Sequence, residues 1–474
     1  MPFYQRLVRD VLYPLDCWRA GETARLRYLR EFERTQYAPP TQLRELQWRR
    51  LQALLRHAYQ NCPFYRDRFR QAGVAPDDFR GPEDLVLLPL LEKRDLQEQR
   101  DRLVAENWPT ADLVPNASGG STGTPVSFFV TKDRLLSRSA ATWRHNRWAG
   151  WDIGHKVGIV WSAPQDQGLR TWRRRLRNWL LDRTLELNTA LLTPERIRAF
   201  HGELLRFRPD VLLGYARSIA LVARFIRENR LRPCRPRAIV TSAEMLEPHD
   251  RAVLEEVFGC PVFNRYGCRE VSVIASECPQ HQGLHIMAEG LFLEILKDGR
   301  PAALGELGEV VVTDLLNFGM PLIRYRIGDM ASWQEGSCPC GRTLPRLREV
   351  AGRLTDFLVG SDGRLVSGVY LATYLVGQRP EVGQVQFVQT VAGRVSLLIK
   401  PGRRFRVPDD PDFLTSALRQ HLGPDTEIDW QLVDDLRPEP SGKYLFCRST
   451  AWKSAGFGRP GPAKAESLSG SEIP

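Results

Sequence analysis

Between residues 157 and 258 the chain switches repeatedly between two periods. Short apolar runs at Val157 to Val160, Val211 to Leu213 and Ala238 to Thr241 alternate with helical patterns at 194–207, 217–230 and 248–258. Such runs read as buried strands and the 3.6-residue stretches between them as crossover helices. With the further run Gly308 to Thr313, this alternation predicts an α/β body with largely parallel sheets across about 118–330. Upstream, Leu43, Leu46, Trp48, Leu51, Leu54 and Leu55 recur at helical spacing, so residues 1–100 are expected to form a mainly helical prelude.

The pattern changes near Val350 to Asp356. Strands at Gly383 to Gln389 and Arg394 to Lys400 and a helix at Asp412 to Leu422 are expected in a smaller α+β unit. The expected organisation is therefore a large N-terminal domain over 1–350, a small mobile C-terminal domain over 351–450, and a tail over 451–474. That tail is dominated by Gly, Pro, Ser, Ala and Lys, with too little apolar surface to offset the entropy of ordering.

Within the body, Ser118-Gly119-Gly120-Ser121-Thr122-Gly123-Thr124-Pro125 precedes a strand-like run, Val126 to Val130. Glycines let backbone approach a polyanion, and hydroxyls donate to phosphate oxygens. Alone, the segment reads equally as a plain hairpin turn or as a phosphate cradle. It is not a Walker loop, because Thr124-Pro125 stands where Gly-Lys-Ser/Thr would be, and no Gly-x-Gly-x-x-Gly opens a helix.

The net charge of +11 favours anionic ligands such as nucleotides or coenzyme A, and equally nucleic acid or an anionic membrane. Against nucleic acid, the arginines are dispersed. The one dense run, Arg173-Arg174-Arg175 with Arg177, sits among Trp172, Leu176, Trp179, Leu180 and Leu181 at helical spacing. The favoured reading is an amphipathic helix with a solvated basic face, and the second is a weak membrane-surface contact. No run of 18 apolar residues occurs, and Met1 to Arg9 lacks a signal-peptide core, so a cytoplasmic protein is expected. Nine cysteines spread along the chain fit reduced thiols or a metal site better than a disulfide framework.

Cys278, His281 and His285 lie in one segment, and Cys338 and Cys340 lie in a second. Two such clusters could converge on a tetrahedral Zn²⁺, structural because four protein ligands leave no open position. Either histidine could complete three cysteines. The competing reading is a buried Cys278 thiol with surface histidines.

Six segments, in order, resemble the adenylate-forming enzymes, and within them the phenylacetate-CoA ligase branch that includes capsular polysaccharide biosynthesis homologues. They are His57 to Phe69 (HAYQNCPFYRDRF), Ser118 to Pro125, Arg265 to Glu270 (RYGCRE), Pro321 to Asp329 (PLIRYRIGD), Gly352 to Asp356 (GRLTD) and Pro440 to Tyr444 (PSGKY). The resemblance implies a large adenylation domain with mixed sheets and a small mobile domain. It also implies ATP, Mg²⁺ and a carboxylic acid as reactants, with coenzyme A as the acceptor thiol. On this basis 118–125 would hold the β- and γ-phosphates, and Tyr266 with Gly267 and Glu244 would meet adenine. Arg353 would approach the ribose or phosphates, and Lys443 would reach the α-phosphate.

Chemistry supports two further roles. Glu270, a hard oxygen ligand, suits Mg²⁺ between phosphate oxygens, its alternative being a surface carboxylate. Asp329, after a glycine, can accept from both ribose hydroxyls. Arg324 and Arg326 could be phosphate partners or members of ion pairs. Trp143, His145 and Trp148 could line an acid pocket or belong to the core.

The chain departs from the family at Thr355, where the hinge usually has Asp, although Asp356 is adjacent, and at Thr124, where many members have Lys. Three readings follow: an acid–thiol ligase, an adenylating enzyme that acylates an amine or sugar in surface polysaccharide assembly, and a nucleotide-binding homologue without transfer activity.

Overall fold

The computed structural model describes residues 3–117, 126–161, 172–189, 193–244, 246, 248–297, 299–306, 308–351, 357–363, 365–367, 371, 375, 379–402, 404–434, 436, 447–449 and 451. The prelude is helical as expected, with its longest segments at Ala24–Thr35, Pro40–Asn61 and Pro63–Ala72. It forms no separate core. Leu51, Leu54, Leu55 and Phe69 are fully buried in one cluster with Ile274, Leu291, Val310 and Leu322 of the body.

Strands β1 (Leu113–Ala117) and β2 (Ser127–Thr131) pair antiparallel with Ala117 opposite Ser127, so 118–125 joins two strands of a hairpin. Side-chain bonds dock that hairpin on a later loop. Asn317 accepts from the Thr131 amide at 3.2 Å and donates to the Phe129 carbonyl at 3.0 Å. From β2 the chain enters the helix Lys132–Trp148, started by the Thr131 hydroxyl accepting from the Arg134 amide.

The body is built on one twelve-stranded sheet. Its first half comprises β3 (Val157–Trp161), β4 (Thr184–Asn188), β5 (Val211–Tyr215), β6 (Ala238–Ser242) and β7 (Val262–Cys268), ordered β4-β3-β5-β6-β7 and all parallel. The helices Pro194–Phe207, Ala216–Glu228 and Pro248–Phe258 make the crossovers. The first begins where Thr193 caps the Arg196 amide and Pro194 supplies a preset φ.

The second half continues outward from β7 through β8 (Ser272–Glu277), β9 (Leu284–Ile286), β14 (Arg346–Ala351), β13 (Tyr325–Trp333), β12 (Gly308–Asp314), β10 (Leu291–Lys297) and β11 (Arg300–Pro301). Every pairing there is antiparallel, which corrects the expectation of largely parallel sheets. The reason is connection length. Arg269 to Val271 suffices for a turn between β7 and β8, whereas a parallel return needs a crossover of a dozen residues or more.

The small C-terminal domain carries a hairpin of β15 (Phe357–Val359) and β16 (Leu365–Ser367). Beside it are β17 (Gln384–Val391), β18 (Arg394–Lys400), β19 (Glu427–Leu432) and β20 (Cys447–Ser449), in the order β19-β18-β17-β20. The helix Asp409–Leu422 buries Leu414, Leu418 and Leu422 against Phe387, Leu397 and Ile399. Each such side chain contributes roughly 1.5–3 kcal/mol on burial.

Candidate functional site

The two halves of the sheet meet at β7, and the candidate residues gather at its carboxyl end. The β7–β8 register shifts between Tyr266 and Gly267. A Cβ on Gly267 would lie 2.4 Å from the Ser272 carbonyl oxygen, so only glycine lets the strands approach there. The bulge tilts the strand end and projects Tyr266, whose hydroxyl donates to Asp329 Oδ2 at 3.0 Å. Asp329 follows Gly328, at φ +87°, and lies near a second register shift, between Glu309 and Val311. Tyr325, on the same strand β13, donates to Glu270 Oε1 at 3.2 Å.

Tyr266, Glu270 and Asp329 are therefore brought together, all buried. Between them the Cys268 thiol is pushed well above its usual pKa, first by burial and then by the negative charge of Glu270 and Asp329. Glu244 is buried as well, just beyond β6 and after Ala243, which is held at φ +67°. Carboxyl ends of parallel strands are where open α/β sheets hold ligands. There, too, Trp161 at the end of β3 and Tyr215 at the end of β5 face each other with ring centroids 4.1 Å apart. The glycine-rich segment Ser118 to Pro125, Arg353, Thr355 and Asp356 of the expected hinge, and Lys443 lie outside the described residues.

Sequence reasoning missed what anchors the Glu270 turn. Arg138, on the helix after β2, donates to the backbone carbonyls of Glu270 and Arg269. Its Nη2 also lies 3.4 Å from Asp314, which Arg134 binds at 2.7 Å with neither partner exposed. Burial, with Arg134 adding repulsion, lowers the Arg138 pKa to about 10 against the pull of Asp314. One helix thus joins the hairpin that carries 118–125 to the turn that carries Glu270. An arginine pair at i and i+4 reads from sequence as a solvated face; the small residues Ser137, Ala140 and Ala141 beside it are a local sign of burial.

Other candidates resolve differently. Arg324 forms an ion pair with Glu294 at 2.8 Å, and Arg326 pairs with Glu92 and Glu309, so both belong to ion pairs. Trp143 and Trp148 pack toward the prelude, their indoles donating to Tyr13 and Gln36. His145 stacks on Trp148 and bonds Ser276 at 2.8 Å.

The cysteine and histidine segments converge. Cys278, His285, Cys338 and Cys340 place their ligand atoms within 4.8 Å of one another. Cys278 and Cys338 have sulfurs 3.6 Å apart, and Cys340 Sγ is 3.3 Å from His285 Nε2. A tetrahedral ion with about 2.3 Å metal–sulfur bonds separates sulfurs by about 3.8 Å, near the Cys278–Cys338 spacing, and three thiols with one imidazole are donors that suit Zn²⁺. His285 Nδ1 faces the Leu344 carbonyl at 3.3 Å, which turns Nε2 inward. Burial holds His285 neutral, with a pKa of about 4, and raises Cys278 to about 12. At Cys340 burial also acts upward, but hydrogen bonds from Arg342 and the neighbouring thiols outweigh it and lower the pKa. His281 stands apart, bonded to Glu277 at 3.1 Å.

Comparison with known proteins fits this geometry. The chain is 30% identical over 343 residues to a phenylacetate-coenzyme A ligase of Thermus thermophilus, covering 68% of this chain and 72% of that one. Protein CapK of Staphylococcus aureus is 24% identical over 410 residues, 85% of this chain and 88% of CapK. Residues 358–450 match the CapK C-terminal domain family. A crystal structure of 2-hydroxyisobutyryl-CoA ligase superposes with a TM-score of 0.64 at 20% identity, covering 89% of this chain and 93% of that one. The chain belongs to the adenylate-forming enzymes, in their phenylacetate-CoA ligase-like branch.

Proposed function

We propose that this enzyme condenses a carboxylic acid with ATP to an acyl adenylate and transfers the acyl group to the thiol of coenzyme A. The observation that carries the reading is the meeting of Tyr266, Glu270 and Asp329 at the carboxyl end of β7. In the first step a carboxylate oxygen attacks the α-phosphorus and the bond to pyrophosphate breaks. In the second, the coenzyme A sulfur attacks the acyl carbon, loses its proton and displaces AMP.

Charge grows on the phosphates in the first step, so preorganised donors and cations count most. Ser118, Gly119, Gly120, Ser121, Thr122, Gly123 and Thr124 would hold the β- and γ-phosphates. Glu270, its backbone fixed by Arg138, would help to hold Mg²⁺. Asp329 would accept from the ribose, and Tyr266, pinned by its bond to Asp329, would stack with adenine beside Gly267 and Glu244. Arg353 would meet ribose or phosphate, and Lys443 the α-phosphate. Trp161 and Tyr215 offer the acid an aromatic wall, which suits an aryl or apolar substrate.

Replacing Lys443 by Ala should abolish pyrophosphate release from acid plus ATP, with far-UV circular dichroism unchanged and thioester formation from a supplied adenylate retained. Unchanged pyrophosphate release would remove Lys443 from this role. A second reading keeps adenylation but gives the acyl group to a different acceptor, an amine or a sugar hydroxyl, with the small domain, whose residues 358–450 match the CapK C-terminal family, presenting that acceptor. Adenylate consumed without coenzyme A, in the presence of such an acceptor, would select it. The four-residue cluster would hold a structural Zn²⁺. Elemental analysis of protein purified without chelators should find one zinc per chain, and its absence would overturn that assignment.

A further inference from the structure

The N-terminal helices present two apolar files. One, Val8, Tyr13 and Cys17, is buried. The other, Phe3, Val11, Leu15 and Trp18, faces solvent, with Phe3 83% and Trp18 71% exposed. From Phe3 through Leu7 and Val11 to Leu15 this file advances by four residues at a time, and the π-helical turn Val8–Leu12 keeps it straight by widening the helix locally.

A second amphipathic segment lies directly beside it. The helix Trp172–Arg177 and the π-turn Asn178–Asp182 are tied to the N-terminal helices by the Tyr4 hydroxyl on the Leu180 carbonyl at 2.9 Å. Arg177 adds an ion pair with Asp16 at 2.8 Å. These two bonds set the N-terminal helices and the second segment side by side. The second segment exposes its own file of Trp172 at 70%, Leu176 and Trp179 at 73%.

We infer that these two files form one pad by which the protein lies on the surface of an anionic phospholipid bilayer. Three indoles beside exposed Arg6, Arg19 and Arg175 combine an apolar body with a cationic rim. Aromatic rings at headgroup depth with arginines reaching phosphates are the chemistry of an interfacial contact. A second copy of the chain is disfavoured as the occupant, because a twofold contact would set these arginines against their own copies in a protein with net charge +11. Among the described residues no helix is long and apolar enough to cross a membrane, so the contact is peripheral.

Flotation of the full chain with phosphatidylcholine vesicles, with and without phosphatidylglycerol, tests this. Wild type should float with the anionic vesicles alone and be released by high salt. The double substitution Trp18→Ser with Trp179→Ser should weaken flotation about tenfold or more at an unchanged melting temperature. Arg6→Glu with Arg19→Glu should abolish the preference for anionic lipid. Failure of wild type to float, or flotation of both variants equal to that of wild type, would overturn the inference. So would a wild-type dimer that the Trp variant converts to monomer, which would assign the pad to self-association.

Discussion

The two halves of the large sheet are held together by different chemistry. In the parallel half, the helix Ala216–Glu228 buries Ile219, Ala220, Leu221, Val222, Ala223, Phe225 and Ile226 against strands that are apolar on both faces. Against the antiparallel half, by contrast, the helix Lys132–Trp148 makes Arg134–Asp314 and Arg144–Glu289, the two ion pairs among the described residues in which neither side chain is exposed at all. Apolar packing tolerates small adjustments of shape, whereas a buried charge pair fixes position and orientation together. The half that carries Glu270 and Asp329 is thus the half built for placement.

That contrast can be broken by experiment. Asp314→Ala leaves Arg134 and Arg138 buried without their carboxylate and should cost about 3–5 kcal/mol in denaturant unfolding. Phe258→Ala, in the parallel half, should cost a similar 3–5 kcal/mol through a cavity. The two should differ in turnover: pyrophosphate release per folded molecule falls in the first variant, where the Glu270 turn is loosened, and persists in the second. Equal losses would mean that placement owes nothing to the charge pair.

A smaller effect should appear with pH. His145, in the antiparallel half, is held well below its usual pKa of 6.5, chiefly by burial and then by Arg144. Its imidazole stays neutral in the fold and takes a proton more readily when unfolded. Stability therefore falls as pH drops below 6.5, by a contribution approaching about 1.4 kcal/mol per pH unit. His145→Gln should flatten the stability profile between pH 6.5 and the folded pKa; an unaltered slope would show that the imidazole titrates freely.

Much of this was legible locally. Period alone places the helix at 194–207, and the strand Arg394–Lys400 lies as expected; the structure adds that Thr193 caps the helix start. The antiparallel turn after Tyr266 was not read, since a bulge and a three-residue connection leave little periodicity. Arg134, Arg138 and Arg144 were also hidden. A buried arginine looks like a surface one until its partner, here as far as 180 residues away, is known. For the metal cluster, spacing narrowed the histidine to two, and only the path of β9 separates His285 from His281.

The Tyr65 hydroxyl receives the Ile323 amide and donates to the Pro321 carbonyl, a contact between residues 256 positions apart. During synthesis the helix Pro63–Ala72 emerges early and must wait for more than half of the protein before it finds this partner. Loop closure over such spans slows folding. Until Pro321 and Ile323 have been made, the Tyr65 hydroxyl has neither of these partners, so the helix Pro63–Ala72 cannot take its final seat before the second half of the chain exists.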